Sequence, residues 1–313
     1  MRFFVLLASL LPSALAATYS LSDNYVGESF LTGFTHEAIV DPTNGRVTYV
    51  DQTTALADNL TYVSTDTLIM RADYTTVLTA SDPGRNSVRI KSVNTYTTHT
   101  VVFDIRHMPQ GCATWPAAWE TLESTWPDGG EVDILEGVND VSPNQSTLHT
   151  SPNCSMPTGI VQSGTPVDTD CDSSVNGNAG CGVQVSTADS YGPAFNTNGG
   201  GWYAMERTTT YIKVWFWPRN SASVPSDVST SGSASVDTSN WGEPYAYFPN
   251  TDCDLATHFS ENNIIINLTL CGDWAGAVFN SDGCSGDCVT YVDENPGDFI
   301  NAYWDIAAVR VYE

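Results

Sequence analysis

The chain has 313 residues and a formal net charge of −25, from 36 acidic and 11 basic side chains. A field of this sign disfavours nucleic acid, which proteins bind largely through Lys and Arg contacts to phosphate, and it also disfavours sulfated or uronic polysaccharides. A neutral polymer would be unaffected by it. Charged residues make up 15% of the chain and aromatic residues 11%, so the composition is that of a folded protein and not of an acidic disordered one.

Residues 1–16 have the pattern of a secretory signal peptide. Arg2 supplies the positive start, residues 3–11 the apolar segment and residues 14–16 (ALA) a small-residue cleavage site. The apolar segment is too short to cross a bilayer, and no later run is long and apolar enough to do so. We therefore expect a secreted, extracellular protein in which residues 17–313 form one domain, with no binding module, stalk or lipid anchor after the last strand.

Eight cysteines, an even number, indicate disulfide bonds formed in an oxidising compartment. Their spacing has no paired zinc-ligand pattern, and about a hundred connectivities are possible for eight. Local closure of Cys284 with Cys288, or of Cys171 with Cys181, is only a guess among these. Three sequons agree with secretion and predict glycosylation at Asn59, Asn144 and Asn267.

The rest of the chain alternates short runs rich in Val, Ile, Thr and Tyr with clusters of Gly, Asn, Asp, Ser and Pro. This texture is typical of an all-β sandwich or barrel. No amphipathic helix of useful length stands out, and one short helical turn is expected around residues 296–301. The candidate strands are residues 46–50, 67–71, 87–91, 100–105, 211–216, 263–268 and 306–312.

Two segments have the composition of loops. Residues 151–201 are rich in Ser, Asn, Gly and Pro and hold three cysteines, which predicts a surface excursion held by disulfides. Residues 221–239 are nearly all Ser, Thr, Val and Asp, but the strands on both sides have similar aromatic-rich patterning, so we interpret this segment as an insertion within one domain. Aromatic residues occupy both faces of the strand at 211–217, so one face is core and the other is a candidate lining for a cleft.

Three carboxylates interleave with apolar residues in the stretch EVDILE at residues 131–136. Glu131 and Asp133 share one face of a regular strand, whereas Glu136, five positions from Glu131, would point to the opposite face. One extra residue, most simply Leu135, accommodated as a β-bulge would return Glu136 to the face of the other two acids. Such a strand suits a glycosidase pair, with one Glu as nucleophile, one as proton donor and Asp133 between them tuning their protonation. The alternatives are a solvated acidic strand and a cation site.

Aromatic residues surround the acids in the sequence. Trp115, Trp119 and Trp126 suit sugar binding, because the C–H faces of a pyranose stack on indole rings, although core packing is the commoner fate of any single Trp. His149 lies in a strand-like stretch and is a candidate to bind a sugar or the acid Glu, or is simply a satisfied surface residue. Trp274 lies in a glycine-flanked loop, which suits a cleft edge.

These motifs resemble the laminarinase-type branch of glycoside hydrolase family 16, and are most similar to its fungal endo-1,3(4)-β-glucanases. The resemblance covers essentially the whole mature chain, and the acid triad with its extra residue is highly specific. Two positions depart from the common pattern: Ala118 stands where many relatives carry Phe, and Arg207 where many carry Trp. We expect both to bear on linkage preference more than on catalysis. The matching stretches are GRNSVRI at 84–90, HMP at 107–109, WPAAW at 115–119, EVDILEG at 131–137, TLHT at 147–150, CGDWAG at 271–276 and AYWDI at 302–306.

The resemblance implies a β-jelly-roll sandwich of two curved antiparallel sheets, with a substrate cleft on the concave face. Carried over by position, Glu131 is the nucleophile, Asp133 its helper and Glu136 the general acid/base of a retaining mechanism. The substrate-binding residues that the resemblance implies are Trp115, Trp119 and Trp126 on the glycone side with Arg89 nearby, and His149 and Trp274 on the aglycone side.

The sequence thus predicts a secreted endo-β-glucanase that acts on β-1,3 or mixed β-1,3/1,4-glucans of the laminarin or lichenan type. Within enzymes, the alternatives are a transglycosylase and a hydrolase of another neutral β-glycan such as β-1,3-galactan. A non-catalytic β-glucan-binding protein on the same scaffold is a third possibility, but such a module is expected to lack the acid pair. We expect a monomer that needs no cofactor and no metal and that binds neither nucleic acid nor membrane.

Overall fold

A computed structural model describes residues 18–313, so the predicted signal peptide lies outside the described residues. Most of the described elements are strands, as the texture of the sequence predicts. In chain order the strands are β1 (Thr18–Tyr25), β2 (Phe34–His36), β3 (Val47–Tyr49), β4 (Thr61–Ser64), β5 (Thr67–Arg71), β6 (Arg85–Ser87), β7 (Arg89–Tyr96), β8 (His99–His107), β9 (Thr114–Thr121), β10 (Glu131–Glu136), β11 (Gln145–His149), β12 (Thr165–Pro166), β13 (Cys181–Gln184), β14 (Gly201–Arg207), β15 (Tyr211–Pro218), β16 (Ser235–Asp237), β17 (Ala246–Pro249), β18 (Asn262–Leu270) and β19 (Tyr303–Tyr312).

The helices are short and connect strands. The longest α-helix in the described part of the chain has 7 residues, and none of the described helices is long and apolar enough to cross a membrane. The helical turn expected near residue 296 is a 3₁₀ turn at Pro296–Phe299. The α-helices are α1 (Phe30–Gly33), α2 (Gln52–Ala57), α3 (Gly192–Thr197), α4 (Ser226–Ser229), α5 (Leu255–His258) and α6 (Cys288–Glu294).

Two large antiparallel sheets form a sandwich, which confirms the predicted fold class. One sheet has nine strands in the order β16-β1-β19-β8-β14-β15-β17, with β5 pairing with β19 and β4 with β5. The other has eight strands in the order β12-β13-β11-β10-β9-β18-β7-β2. Every candidate strand from the sequence falls on an observed strand, and only residues 87–91 are divided, between β6 and β7.

The main core lies between the two sheets. Val132 and Ile266 enter it from the eight-stranded sheet, and Phe103, Met205 and Val309 enter it from the nine-stranded sheet. Because side chains alternate along a strand, the residues next to these core positions point to the outer face of each sheet. The candidate site lies on the outer face of the eight-stranded sheet.

The segment 221–239 covers the outer face of the nine-stranded sheet. Its strand β16 pairs with β1, so the segment is part of the sheet and not a linker. Val228 and Val236 of this segment, with Trp241 just beyond it, pack against Trp215 and Trp217 of β15. These two indoles therefore support the insertion, and the suggestion that this face of the strand lines the cleft is wrong.

Four disulfides join the eight cysteines, and the predicted local closure of Cys171 with Cys181 is confirmed. The guess that joined Cys284 to Cys288 is wrong. Cys284 bonds to Cys112, which is 172 residues away, and Cys288 bonds to Cys271, which is 17 residues away. Helix α6 begins at Cys288, and these bridges fasten the segment between β18 and α6 to the region where β9 begins. The fourth bridge joins Cys154 to Cys253.

Candidate active site

Strand β10 carries three carboxylates on the outer face of the eight-stranded sheet, between β9 and β11. The apolar residues of β10 are fully buried in the core between the sheets. Glu131 and Glu136 are half-buried, and Asp133 between them is 1% exposed. The strand thus holds an acidic row with its central member almost removed from solvent.

A β-bulge follows Asp133, as the spacing of the acids predicts. Along β9, Trp119 pairs with Asp133 and the next residue, Ala118, pairs with Leu135, so Ile134 is the additional residue. The bulge returns Glu136 to the side of the sheet that carries the other acids. The predicted extra residue, Leu135, is wrong, because Leu135 keeps a partner on β9.

The acids influence one another's protonation. Single acceptor atoms of Glu131, Asp133 and His149 all lie within 4.8 Å of one another. Burial, followed by the negative charge of Glu131, raises the pKa of Asp133 well above its usual range. Burial, followed by the charge of Asp133, likewise raises the pKa of Glu136 well above its usual range. The site therefore favours a protonated Glu136, which is the form that can donate a proton.

Two indole N–H groups bind the two glutamates. Trp115 Nε1 donates to Glu136 Oε1 at 2.8 Å, and Trp126 Nε1 donates to Glu131 Oε2. Trp126 is 43% exposed, and Trp115 packs edge-on against Trp274 with 5.7 Å between ring centroids. These indoles lie beside the acids and outside the main core, so the core interpretation of Trp115 and Trp126 does not hold.

Trp119 is the last of the three tryptophans predicted on the glycone side, and it is held by a polar and a cationic neighbour. Its Nε1 donates to Asn267 Oδ1 at 2.9 Å, and the Arg89 guanidinium lies 5.1 Å from its ring centroid. Arg89 is 2% exposed and is bound by two carboxylates, donating to Glu37 Oε2 at 2.8 Å and also to Glu123. Arg89 thus supports the Trp119 ring, while its direct contact with a sugar stays a prediction.

His149 lies on β11 directly opposite Glu131. Its Nε2 is 3.3 Å from Asp133 Oδ2, and its Nδ1 is 2.9 Å from Asn178 Oδ1. His149 thus bridges Asn178 and the buried Asp133, with Nδ1 facing the amide oxygen and Nε2 facing the carboxyl group. Sequence reasoning gives no indication of Asn178, which lies within the loop closed by Cys171 and Cys181 and belongs to no motif.

The three predicted glycosylation sites differ in exposure. Asn59 lies in an exposed turn, where a glycan has room. Asn144 is completely buried and Asn267 is 7% exposed, and both amides are hydrogen-bonded inside the protein. The predictions for Asn144 and Asn267 are therefore wrong, because the folded chain leaves no space for a sugar at either amide.

The two positions that depart from the family pattern do not line this face. Ala118 is 1% exposed and lies on the core side of β9. Arg207 is 3% exposed, with its Nη1 3.6 Å from Glu120 Oε2 and its guanidinium over the Phe259 ring. An effect of either residue on linkage preference by direct sugar contact is therefore not expected.

A family comparison identifies the scaffold. The model of the XgeA-like, catalytic GH16 domain matches residues 34–312. The chain belongs to glycoside hydrolase family 16. Its two antiparallel sheets are the β-jelly-roll sandwich of the laminarinases of this family, as the resemblance in the sequence implies.

Individual relatives in family 16 extend this comparison. Laminarinase 16A from Phanerochaete chrysosporium, solved with 6-O-glucosyl-laminaritriose in its donor and acceptor sites, is 66% identical with a TM-score of 0.94, over 95% of this chain and 100% of that chain. An elongating family 16 β-1,3-glucosyltransferase is 39% identical with a TM-score of 0.87, over 94% of this chain and 100% of that chain. Endo-1,3(4)-β-glucanase xgeA of Emericella nidulans is 39% identical over 95% of this chain and 48% of its own length. This chain thus spans about half the length of that glucanase.

Proposed function

We propose that this family 16 chain hydrolyses β-1,3-glucan internally, with retention of anomeric configuration. The observation that carries the proposal is the pair of indole-bound glutamates, Glu131 and Glu136, on one face of β10 with the buried Asp133 between them. Retention requires two carboxyl groups about 5–5.5 Å apart, one as nucleophile and one as proton donor. A bulged strand that turns both glutamates to the same face supports that arrangement.

The reaction proceeds in two displacements. Glu131 attacks C1 of the glucosyl unit, and the C1–O bond breaks as Glu136 gives its proton to the leaving oxygen. Glu136, now a carboxylate, takes a proton from water, and the water oxygen displaces Glu131 from C1. After the second displacement Glu136 is again protonated and Glu131 is again a free carboxylate, so one turnover causes no net loss of protons. These steps need no metal and no cofactor, and dialysis against EDTA should leave turnover unchanged.

The substrate class follows from the surroundings of the acids. Trp115, Trp119 and Trp126 offer indole surface for pyranose faces, and the strongly acidic chain favours an uncharged polymer. The 66% identical laminarinase, solved with a branched β-1,3-linked gluco-oligosaccharide, supports laminarin-type glucan as the first candidate. Mixed β-1,3/1,4-glucan is the second, and β-1,3-galactan is the alternative outside glucans.

Transglycosylation is a second candidate outcome at the same site. A sugar hydroxyl can take the place of water in the second displacement, which transfers the glycosyl group from Glu131 to a new oligosaccharide. The 39% identical elongating β-1,3-glucosyltransferase supports this possibility. Products longer than the starting oligosaccharide would reveal it.

The proposal is tested by digestion of laminarin, lichenan, curdlan and β-1,3-galactan with the purified protein. We expect laminarin to yield a ladder of short oligosaccharides from the first minutes, as internal cleavage requires. Glu131→Gln and Glu136→Gln are the matched controls, and each should lower the rate at least about 1,000-fold while the fold is retained. Binding of laminarin without turnover by the unaltered protein would favour the non-catalytic glucan-binding alternative.

We also propose that the protein is secreted as a monomer and carries a glycan at Asn59. Eight paired cysteines support secretion, and the exposed turn at Asn59 supports a glycan there. Amino-terminal sequencing of the exported protein should begin near Ala17. Treatment with an N-glycosidase should lower the mass by that of one glycan. Of the three predicted sequons, only Asn59 should be the site that loses it.

A further inference from the structure

Three buried side chains converge on one backbone carbonyl at the bulge of β10. Ser146 Oγ donates to the Ile134 carbonyl oxygen at 2.7 Å. Asn144 Nδ2 donates to the same oxygen at 3.2 Å, and the Tyr245 hydroxyl, which is also hydrogen-bonded to the Ser146 hydroxyl, lies 3.2 Å from it. A carbonyl oxygen has two lone pairs, which the Asn144 amide and one hydroxyl are enough to satisfy, and the second hydroxyl is bonded to the first. The cluster thus fills the hydrogen-bonding capacity of the Ile134 oxygen and also holds that oxygen in position.

The Asn144 amide also reaches the other side of the bulge. Its Oδ1 accepts a hydrogen bond from the backbone N–H of Glu136 at 2.9 Å. One side-chain amide therefore joins the carbonyl of Ile134 to the N–H of Glu136. A bulge removes local ladder bonds, and a buried backbone group left without a partner costs about 1–3 kcal/mol. Asn144 supplies partners to backbone groups on both sides of the bulge, one through its donor and one through its acceptor.

The cluster also ties the bulge to the opposite sheet. Tyr245 immediately precedes β17, and its backbone N–H donates to Val214 on β15 of the nine-stranded sheet. Asn144, Ser146 and Tyr245 are all nearly or fully buried. The position of the Glu136 backbone is therefore set by contacts within the sandwich, on the side away from the cleft.

We propose that Asn144 is a positioning residue for Glu136, acting through the bulge, with Ser146 and Tyr245 as its partners. This inference rests on the proposed role of Glu136 as acid/base. Residues 144–146 match a glycosylation sequon, but the side chains of Asn144 and Ser146 instead hydrogen-bond the bulge. Asn144 touches no cleft surface, so its loss acts on the geometry of proton transfer and leaves the glucan-binding indoles in place.

The test compares Asn144→Ala with the unaltered enzyme on two substrates. Laminarin needs a proton from Glu136 to expel its leaving group, whereas a 2,4-dinitrophenyl β-laminaribioside does not, and added azide replaces the water that Glu136 would activate. We expect kcat on laminarin to fall about 100-fold, the loss that a displacement of about 1 Å can cause. KM should change less than about threefold, since the indoles that bind sugar stay in place, and the dinitrophenyl substrate with azide should retain a rate within about threefold of the unaltered enzyme.

A matched control is Asn196→Ala. Asn196 Oδ1 accepts from the Met108 N–H and its Nδ2 donates to the Met108 carbonyl, so it too bridges backbone groups, but it lies on α3 away from β10. This variant should show no difference between the two substrates. Ser146→Ala and Tyr245→Phe each remove one hydroxyl of the cluster, and each should show the same selective loss at a smaller size, about tenfold or less. These two variants keep the inference testable if Asn144→Ala does not fold.

Three results would overturn the inference. Equal losses on both substrates would mean a general structural defect, and unchanged turnover of laminarin would mean that the bulge needs no such support. An unaltered enzyme without activity on any of the polysaccharides would remove the proposed function and this inference with it. A selective loss on laminarin that azide and the activated leaving group restore is the result that supports Asn144.

Discussion

The indole N–H of Trp115 donates to Glu136 at 2.8 Å, and this bond opposes the two largest influences on the pKa of that carboxyl group. Burial and the charge of Asp133 raise the pKa of Glu136, whereas the hydrogen bond from Trp115 lowers it. The protonation of the proposed acid thus depends on a balance between neighbours on two adjacent strands. Each neighbour can be removed separately, and the two removals have opposite signs.

Trp115→Phe keeps an aromatic ring but removes the N–H donor. The pKa of Glu136 should rise further, because the charged form loses a hydrogen bond. The alkaline limb of the kcat/KM profile, where Glu136 loses its proton, should move to higher pH. Trp241→Phe is the matched control, since the Trp241 indole also donates to a carboxylate, Asp227, but under the insertion 221–239. A shift to lower pH in Trp115→Phe would contradict the assignment.

Asp133→Asn removes the carboxyl group whose charge raises the pKa of Glu136. The pKa of Glu136 should fall, so the alkaline limb should move to lower pH, opposite to the shift in Trp115→Phe. We also expect kcat to fall about 10- to 100-fold, because Glu136 is then less fully protonated and Glu131 has lost its neighbouring carboxyl group. The profile of kcat/KM against pH on laminarin measures both effects. An unmoved limb would show that Asp133 does not influence the acid.

Glu136→Gln should be more stable than the unaltered protein at neutral pH. Since the pKa of Glu136 is higher in the folded state, the unfolded state loses this proton first as pH rises, and the native state is then destabilised. Below the unfolded pKa, about 4.3, this penalty is absent. The difference in Tm between variant and unaltered protein should therefore be positive at pH 7 and shrink toward pH 4. Glu243→Gln, at an exposed site, should show little difference at either pH.

Calorimetry at these two pH values measures the effect. A Glu136→Gln variant that is less stable than the unaltered protein at pH 7 would contradict the electrostatic description of the site. Catalytic groups held in unfavourable surroundings commonly lower stability, and their removal commonly raises it.

Arg89→Met tests the contact between the Arg89 guanidinium and the Trp119 ring. Arg89 is 2% exposed and binds Glu37 and Glu123, so its loss leaves buried carboxylates with fewer partners. We expect a cost of about 3 kcal/mol in the free energy of unfolding, near the lower end for breaking a buried ion pair, because a neighbouring lysine remains. KM for laminarin should rise several-fold as Trp119 loses its cation contact. Denaturant unfolding and initial rates measure the two effects.

Arg106→Met is the control for this prediction. Arg106 pairs with Asp305 at a partly exposed position, where an ion pair contributes about 0–1 kcal/mol. A similar loss in both variants would mean that burial does not distinguish the two arginines. A large loss in Arg89→Met with unchanged KM would mean that the arginine stabilises the fold without affecting glucan binding.

The sequence is most informative where local pattern decides the structure. Charge at alternate positions of an apolar strand predicts the acidic face of β10, and the five-residue spacing of Glu131 and Glu136 predicts the bulge. The strands follow from composition and turn residues. These features need only neighbours along the chain, so a single sequence is enough to find them.

Features that depend on distant partners could not be predicted. The carbonyl of the additional residue, Ile134, lies against a cluster that includes Tyr245, which is 111 residues away. The same letters form a sequon whether an asparagine is buried or exposed, which explains the errors at Asn144 and Asn267. Disulfide pairing likewise depends on the packed fold, since Cys284 has its partner 172 residues distant and not at the nearby Cys288.

The central claim is that Glu131 forms a covalent bond to C1 of the sugar, and a slow substrate tests it most directly. A 2-deoxy-2-fluoro-β-laminaribiosyl fluoride should inactivate the protein, because the fluorine slows release of the glycosyl-enzyme more than its formation. Peptic digestion and tandem mass spectrometry should then place one added glycosyl group on Glu131. A label on Glu136 or on any other residue, or no label together with inverted first products of laminarin by proton NMR, would contradict the account.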